Sequence, residues 1–405
     1  MHHAVEKPRA AVHFTPYQKK ILFFSCLILV IGLSAIDFIN PSLPYIMKTL
    51  NVSQSTTKGL MIAYMITLGV AQLFYGVFSD NYGRKKAILV SFVIAILGFI
   101  VSALSQNIAM LYVGRILTAL GTAGCPVIAR ALISDICTDS IHVKKAFSYF
   151  SMSSQCSPAF APILGGAIQQ YADWHWSFVA LAVINIVAFL ILFMILPETH
   201  RIPQAKKILS EQVKVYWELL GLRRFMFFNF FSSLMFVFTI GFYSLTPFVF
   251  KALGLAPIEN GLFYGIYAIG LVAGSLGLAT VFSKMNSEKT FFWGLVLFFI
   301  LFTLGLAVFS FTNSLILIGI FSFILAFLCG LVAPLVMSLC LEGFSVNKGA
   351  ASAVQSLIKL GFSGVVLFMF NFVELYSFID ILMIFEVIAI VLWLGYGVEK
   401  WYQKM

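Results

Sequence analysis

The sequence predicts an all-α membrane protein with twelve transmembrane helices in two six-helix bundles. Three observations lead there. Of 405 residues 61% are hydrophobic and only 10% charged, the apolar runs are continuous and about as long as a membrane crossing, and one long polar stretch falls midway. A soluble domain is about 45–50% apolar and about a quarter charged, so this chain has too little polar surface to face water on every side. Disorder, collagen and a disulfide scaffold fall with the soluble fold, since Phe numbers 43 and Cys 6.

A hydrocarbon core of about 30 Å takes roughly 20 residues of helix. On that measure the spans fall at about 20–41, 58–79, 86–105, 108–130, 146–170, 176–196, 225–250, 260–283, 290–310, 314–340, 350–373 and 378–398. The first follows Lys19 and Lys20 and resembles a signal peptide, but eleven further spans favour an uncleaved helix. The stretch from Thr290 to Leu341 holds no Asp, Glu, Lys or Arg and is too long for one crossing, so Thr312, Asn313 and Ser314 must turn it back. The runs lack period-two alternation, which excludes a membrane β-barrel.

Lysine and arginine assign the sides. With both termini on one side, 21 of the 26 fall there, while Lys48, Lys58 and Lys251 fall opposite and Arg115 and Lys359 lie within spans. This bias puts both termini in the cytoplasm, in a bacterial-type inner membrane. The net charge of +10 then reflects topology and contact with the lipid bilayer, and nucleic-acid binding is a poor reading of it. The organisation that follows is a cytoplasmic tail at 1–19, a bundle at 20–196, a cytoplasmic loop at 197–224, a second bundle at 225–398 and a tail at 399–405. Apolar residues from Ile208 to Leu222 recur at helical spacing, as expected of a helix lying on the membrane surface. Cys26, Cys125, Cys329 and Cys340 lie in apolar runs without metal-ligand spacing, so no metal site is expected.

Four segments carry chemistry. After the second span come Gly76, Asp80, Gly83, Arg84, Lys85 and Lys86, in a short loop between helices. There Gly76 would let neighbouring helices approach, Gly83 would permit the tight turn, and Asp80 could meet the cations that start the next helix. The fourth span holds Arg115, Gly121 and Gly124, followed by Arg130 and Asp135. The fifth holds Pro158, Pro162, Gly165 and Gly166. Proline inside a helix removes a backbone hydrogen bond and bends it, and the glycine pair would pack closely against the other half, sealing one end of a central cavity. The first span ends with Asp37, Asn40, Pro41 and Pro44.

Together these segments resemble the major facilitator superfamily over nearly the whole chain. The second-span loop is similar to the family signature G-x3-D-R-x-G-R-[RK], the fourth span to its R-x5-G-x2-G element, and the fifth to its antiporter motif. The end of the first span resembles that of drug:proton antiporters of the bicyclomycin-resistance type. One position departs: Asn81 stands where the family usually has Arg, which weakens the gating network attributed to that loop. The resemblance implies gating roles for Gly76, Asp80, Gly83, Arg84, Lys85, Arg130 and Asp135. It implies a monomeric, cofactor-free secondary transporter that exports small drug-like compounds in exchange for protons by alternating access.

Ionisable groups within spans cost about 2.5–3.5 kcal/mol each on insertion scales, so Asp37, Arg115, Lys359 and Glu386 are functional candidates. Asp37 leads as proton carrier, with Glu386 and Arg115 as further coupling candidates. The alternatives are that Asp37 is capped by Asn40 or a neighbouring helix, and that Arg115 is held by structural hydrogen bonds. Lys359 either faces the cavity and attracts an anion or pairs with Glu386, and both readings stay open. No GxxxxGK[ST] loop, HExxH or catalytic triad pattern occurs, so an enzyme or ATP-driven pump is not expected and the work comes from an ion gradient. Asn40 and the aromatic residues Phe38, Tyr45, Phe236, Tyr243, Tyr264 and Tyr267 are expected to line the substrate pocket. Two rivals remain. One is a transporter of an anionic metabolite or polycarboxylate siderophore, favoured by Arg115 and Lys359. The other is a non-transporting sensor, opposed by the retained Asp80, Gly83 and Arg84.

Overall fold

In the computed structural model, which describes residues 14–137, 140–200, 209–280, 287–341 and 348–402, every regular element among the described residues is helical. Thr15 opens α1 (Pro16–Asp37) with a capping box to Gln18. The run Asn40, Pro41, Ser42 then forms a 3-10 turn before the short α2 (Leu43–Thr49), so the first span is interrupted just past Asp37. Ser53 caps α3 (Gln54–Tyr82), and Gly83, at φ +92°, ends it and begins α4 (Arg84–Ala103). Asn107 caps α5 (Ile108–Thr122), which passes through Ala123 into α6 (Gly124–Ile136). Next come α7 (Ser140–Tyr171) and α8 (Trp174–Ile195), the latter capped by Asp173.

A helix does form within the stretch expected to lie on the membrane surface, α9 (Leu209–Leu220), while residues 201–208 lie outside the described ones. The second half comprises α10 (Arg223–Ala252), α11 (Pro257–Thr280), α12 (Ser287–Phe309), α13 (Leu315–Leu341), α14 (Lys348–Met369) and α15 (Phe378–Tyr402). The chain does turn at residues 312–314, where the Ser314 N–H donates to Thr312 Oγ1 at 3.2 Å. Residues 399–402 of the expected tail continue α15 instead, and 403–405 lie outside the described residues.

Among the described residues eleven helical segments are long and apolar enough to cross a membrane. The twelfth is α7, 32 residues long, whose middle carries Ser151, Ser153, Ser154, Gln155 and Ser157. Those polar residues dilute its hydropathy because this helix faces other helices and the space between the halves. Elsewhere Phe74, Leu97, Leu190, Met194, Leu304 and Leu394 stand exposed, while Phe231, Phe238, Phe242 and Phe302 are fully buried. Such broad apolar exposure suits lipid and would be a liability in water.

In the first half α4 packs on α5 and α8, and α1 on α6 and α7; in the second α13 packs on α10 and α11, and α12 on α15. Two seams join the halves, α7 against α11 and α3 against α14. Glycines make the seams tight. A Cβ on Gly261 would stand 2.7 Å from the Pro162 carbonyl oxygen, and one on Gly166 would collide with the Pro257 carbonyl. On α3, a Cβ at Gly69 would lie 3.3 Å from Leu360 Cβ of α14. Two expectations are corrected here. Gly165 faces the Phe38 carbonyl of its own half, because the interrupted end of the first span lies against α7. Gly76 has nothing within 4 Å of a built Cβ, because α3 meets α14 nearer its start, at Gly69.

Candidate functional site

Asp37 sits where the two halves meet. As the last residue of α1 it is 7% exposed, and its Oδ2 accepts a hydrogen bond from Ser157 Oγ of α7 at 2.7 Å. From the second half, Tyr243 of α10 and Tyr264 of α11 lie within the field of the Asp37 charge. The Tyr243 hydroxyl is buried without a hydrogen-bond partner among the described residues. Its ring packs with Tyr264 at 4.9 Å and with Tyr267 at 5.3 Å between centroids, and Phe242 stacks on Tyr267 at 4.4 Å. The Tyr264 hydroxyl donates to the Tyr243 carbonyl at 3.0 Å. Asn40 lies fully buried in the 3-10 turn with neither amide atom bonded, so it does not cap Asp37. The buried carboxyl, orphan amide and orphan hydroxyl are polar groups enclosed where α1, the 3-10 turn and α10 come together beside an aromatic wall.

The other intramembrane charges fall elsewhere. Arg115 is 1% exposed, donates to the Ala35 carbonyl of α1 at 2.9 Å, and lies 4.1 Å from the Tyr64 ring centroid. Tyr64 in turn shares a 2.6 Å hydrogen bond with Thr122. Arg115 therefore braces α1 one half-turn before Asp37, inside the first half. Lys359 and Glu386 do not pair. The Lys359 Nζ stands 4.8 Å from the Phe236 ring centroid, whereas Glu386 accepts from Thr303 Oγ1 of α12 at 3.0 Å. α15 presents Glu386 to α12, away from the seams, which separates it from Asp37. Tyr45 also lies apart, at the end away from the termini, where its hydroxyl accepts from Lys251 Nζ at 3.0 Å.

The second-span loop forms a buried ionic knot. Arg84 Nη1 donates to Asp80 Oδ1 at 2.6 Å and to Ser79 Oγ at 2.8 Å, while its Nε donates to Asp135 Oδ2 at 3.0 Å. Glu198, just past α8, accepts from the backbone N–H of Arg84 at 2.8 Å and of Lys85 at 3.0 Å. A carboxylate there meets the unsatisfied amides at the start of α4. Arg130 stands apart from this knot, donating from Nε to the Pro126 carbonyl at 3.2 Å. Among the described residues, hydrogen bonds that cross between the halves lie at the end away from the termini. They join Lys58 to the Val373 carbonyl (2.8 Å), Asn371 to Ser55 (2.7 Å), Gln54 to the Leu375 backbone (3.0 Å) and Lys251 to Tyr45 (3.0 Å).

The sequence profile of the Major Facilitator Superfamily matches residues 22–370. The chain belongs to that superfamily. It is a multi-pass membrane transporter and not an enzyme. It is similar to an uncharacterized MFS-type transporter of Bacillus subtilis, 28% identical over 349 residues that cover 84% of this chain and 85% of that protein. The bicyclomycin resistance protein homolog of Haemophilus influenzae is 25% identical over 261 residues, covering 62% of this chain and 64% of the relative. Multidrug resistance protein D of Escherichia coli is 30% identical over 164 residues, covering 40% and 41%. Among solved structures, a POT family transporter in complex with 5-aminolevulinic acid superposes with a TM-score of 0.76 at 12% identity, over 98% of each chain. A D-xylose-proton symporter gives 0.68 at 16% identity, over 93% of this chain and 97% of that one. At such identities the likeness shows the fold alone.

Within this superfamily member, the structure brings together Asp80, Arg84 and Asp135, and separately Asp37, Tyr243 and Tyr264. Sequence reading missed Tyr64, Ser157 as the donor to Asp37, and Glu198 as the helix cap. It also missed Gly261, for which a signal exists: Gly261 and Gly265 stand four apart, the small-residue spacing that lets membrane helices approach.

Proposed function

We propose that this transporter exchanges protons for small organic compounds and exports them by alternating access, from a bacterial-type inner membrane with both termini in the cytoplasm. The observation that carries the reading is the buried Asp37 carboxyl at the junction of the halves, bonded to Ser157 of one and beside Tyr243 of the other. A carboxyl between two halves that part and rejoin meets water and a dry interface by turns, and its proton occupancy follows. The cross-links at the end away from the termini support a state open toward the terminal side. Relatives named for bicyclomycin and multidrug resistance support a drug-like cargo, as do the aromatic walls around Tyr243, Tyr264 and Tyr267. Each proton entering across 100 mV supplies about 2.3 kcal/mol, enough for more than a tenfold gradient.

Asp37→Asn tests this reading because it mimics the protonated carboxyl and keeps its shape. In inverted vesicles screened with ethidium, bicyclomycin and naphthalene-1-carboxylate, the variant should lose pH-driven accumulation of whichever compound the wild type carries and keep its downhill exchange. Full pH-driven accumulation by the well-expressed variant overturns Asp37 as the carrier.

A further inference from the structure

Between α6 of the first half and α14 of the second, two cations stand near one another with no acid paired to them among the described residues. Arg130 and Lys359 feel each other's charge across the gap between the halves. Neither forms an ion pair with a carboxylate among the described residues. Arg130 spends only its Nε, on a carbonyl of its own helix. The Lys359 head rests by the Phe236 ring. One turn before Lys359 on the same face of α14, Gln355 is 3% exposed and its Nε2 donor has no acceptor. Three donor groups thus lie along this gap, two of them charged, with an aromatic ring alongside; among the described residues the one acceptor they meet is the Pro126 carbonyl, on Arg130 Nε. Like charges facing each other in a low-dielectric site repel, and unmet buried donors add to the cost. An acidic group on the cargo removes both penalties at once.

We infer that Arg130 and Lys359, one from each half, receive an acidic group of the cargo, with Gln355 as a further donor and Phe236 against its apolar body, so that the compound carried is an organic anion with an aromatic or lipophilic skeleton. This rests on the exchanger reading above and narrows its substrate class. It also gives the anion a mechanical role. Because its two charged contacts come from opposite halves, binding draws α6 and α14 together and favours closing the side that carries the termini, while an empty site leaves two cations pushing that side apart.

The test uses purified protein in nanodiscs and radiolabelled naphthalene-1-carboxylate, with naphthalene-1-carboxamide and 1-naphthylmethylammonium as neutral and cationic competitors of the same body. The expected result is that the carboxylate binds, that neither competitor displaces it at matched concentration, and that its Kd rises roughly ten- to a hundredfold in Lys359→Gln and in Arg130→Gln. Lys359→Arg should retain binding, which separates loss of charge from loss of fold. No binding by folded wild type, equal displacement by carboxamide or ammonium, or an unchanged Kd in Lys359→Gln each overturns the proposal. The exchanger reading fails by a different signature: carboxylate binding intact, with pH-driven accumulation undiminished in Asp37→Asn.

Discussion

Gly261→Ala adds one methyl group at the α7–α11 seam, and the surrounding atoms are all backbone. The new Cβ would stand 2.7 Å from the Pro162 carbonyl oxygen, 2.8 Å from Ile163 Cα and 3.0 Å from Ile163 N. Ordinary contact begins at 3.4 Å, so the helices must part by about 0.7 Å, the difference from 2.7 Å. Neither helix can relieve this by rotating a side chain. Overpacking of this kind costs about 1–3 kcal/mol. Because the penalty applies only while the seam is closed, it shifts the balance between closed and parted seam by roughly 5- to 160-fold toward parting. The shift is read by pulsed dipolar spectroscopy with nitroxides on Gln106→Cys and Phe311→Cys, which sit in connections of opposite halves at the end away from the termini, after Cys26 and Cys156 are replaced by Ser. The short-distance population should fall in Gly261→Ala and should not fall in Gly76→Ala, where a Cβ meets nothing within 4 Å. An unchanged distance distribution in folded Gly261→Ala would refute the view that backbone contact at this seam holds the end away from the termini closed.

Two further outcomes are expected. Asp135→Ala removes one of the two carboxylates on Arg84, whose side chain is only 8% exposed, and should cost about 1–3 kcal/mol in unfolding by denaturing detergent; unaltered stability would show that Asp80 alone satisfies the guanidinium. Reporter fusions after Thr199 and after Met405 should report cytoplasm and one after Asp173 the opposite side, and an external signal at Thr199 would break the twelve-span topology.

The spans were legible because lipid demands long apolar segments and positions of Lys and Arg betray the loops between them. Their internal breaks were less so: the passage through Ala123 depends on what α5 and α6 pack against, which no local pattern encodes. The α7 span announced its polar middle but not its reason, since Ser157 acquires its role only when α1 brings Asp37 beside it, 120 residues away in sequence. The same limit explains Lys359 and Glu386. Both are charges set within late spans, and composition invites pairing them; the helical faces they occupy send one toward Phe236 and the other toward Thr303. Motif residues fared well where the motif encodes a turn, as at Gly83. They fared less well where it encodes a contact between helices, as at Gly76, because that contact depends on how the halves are disposed.

The carboxylate of Glu198 has a consequence for the order in which the protein is made. It caps the amides of Arg84 and Lys85, yet 114 residues separate Glu198 from Arg84 along the chain. At a synthesis rate of about 5–20 residues per second, the start of α4 waits roughly 6–23 s for its cap after its own residues have been joined. Throughout that interval the basic loop after the second span lacks this cap, with Arg84 held by Ser79, Asp80 and, later, Asp135. The first six membrane-crossing segments thus acquire their finished geometry on the face that carries the termini only as translation leaves the sixth, which makes α8 the clasp that closes the first half before the second begins to emerge.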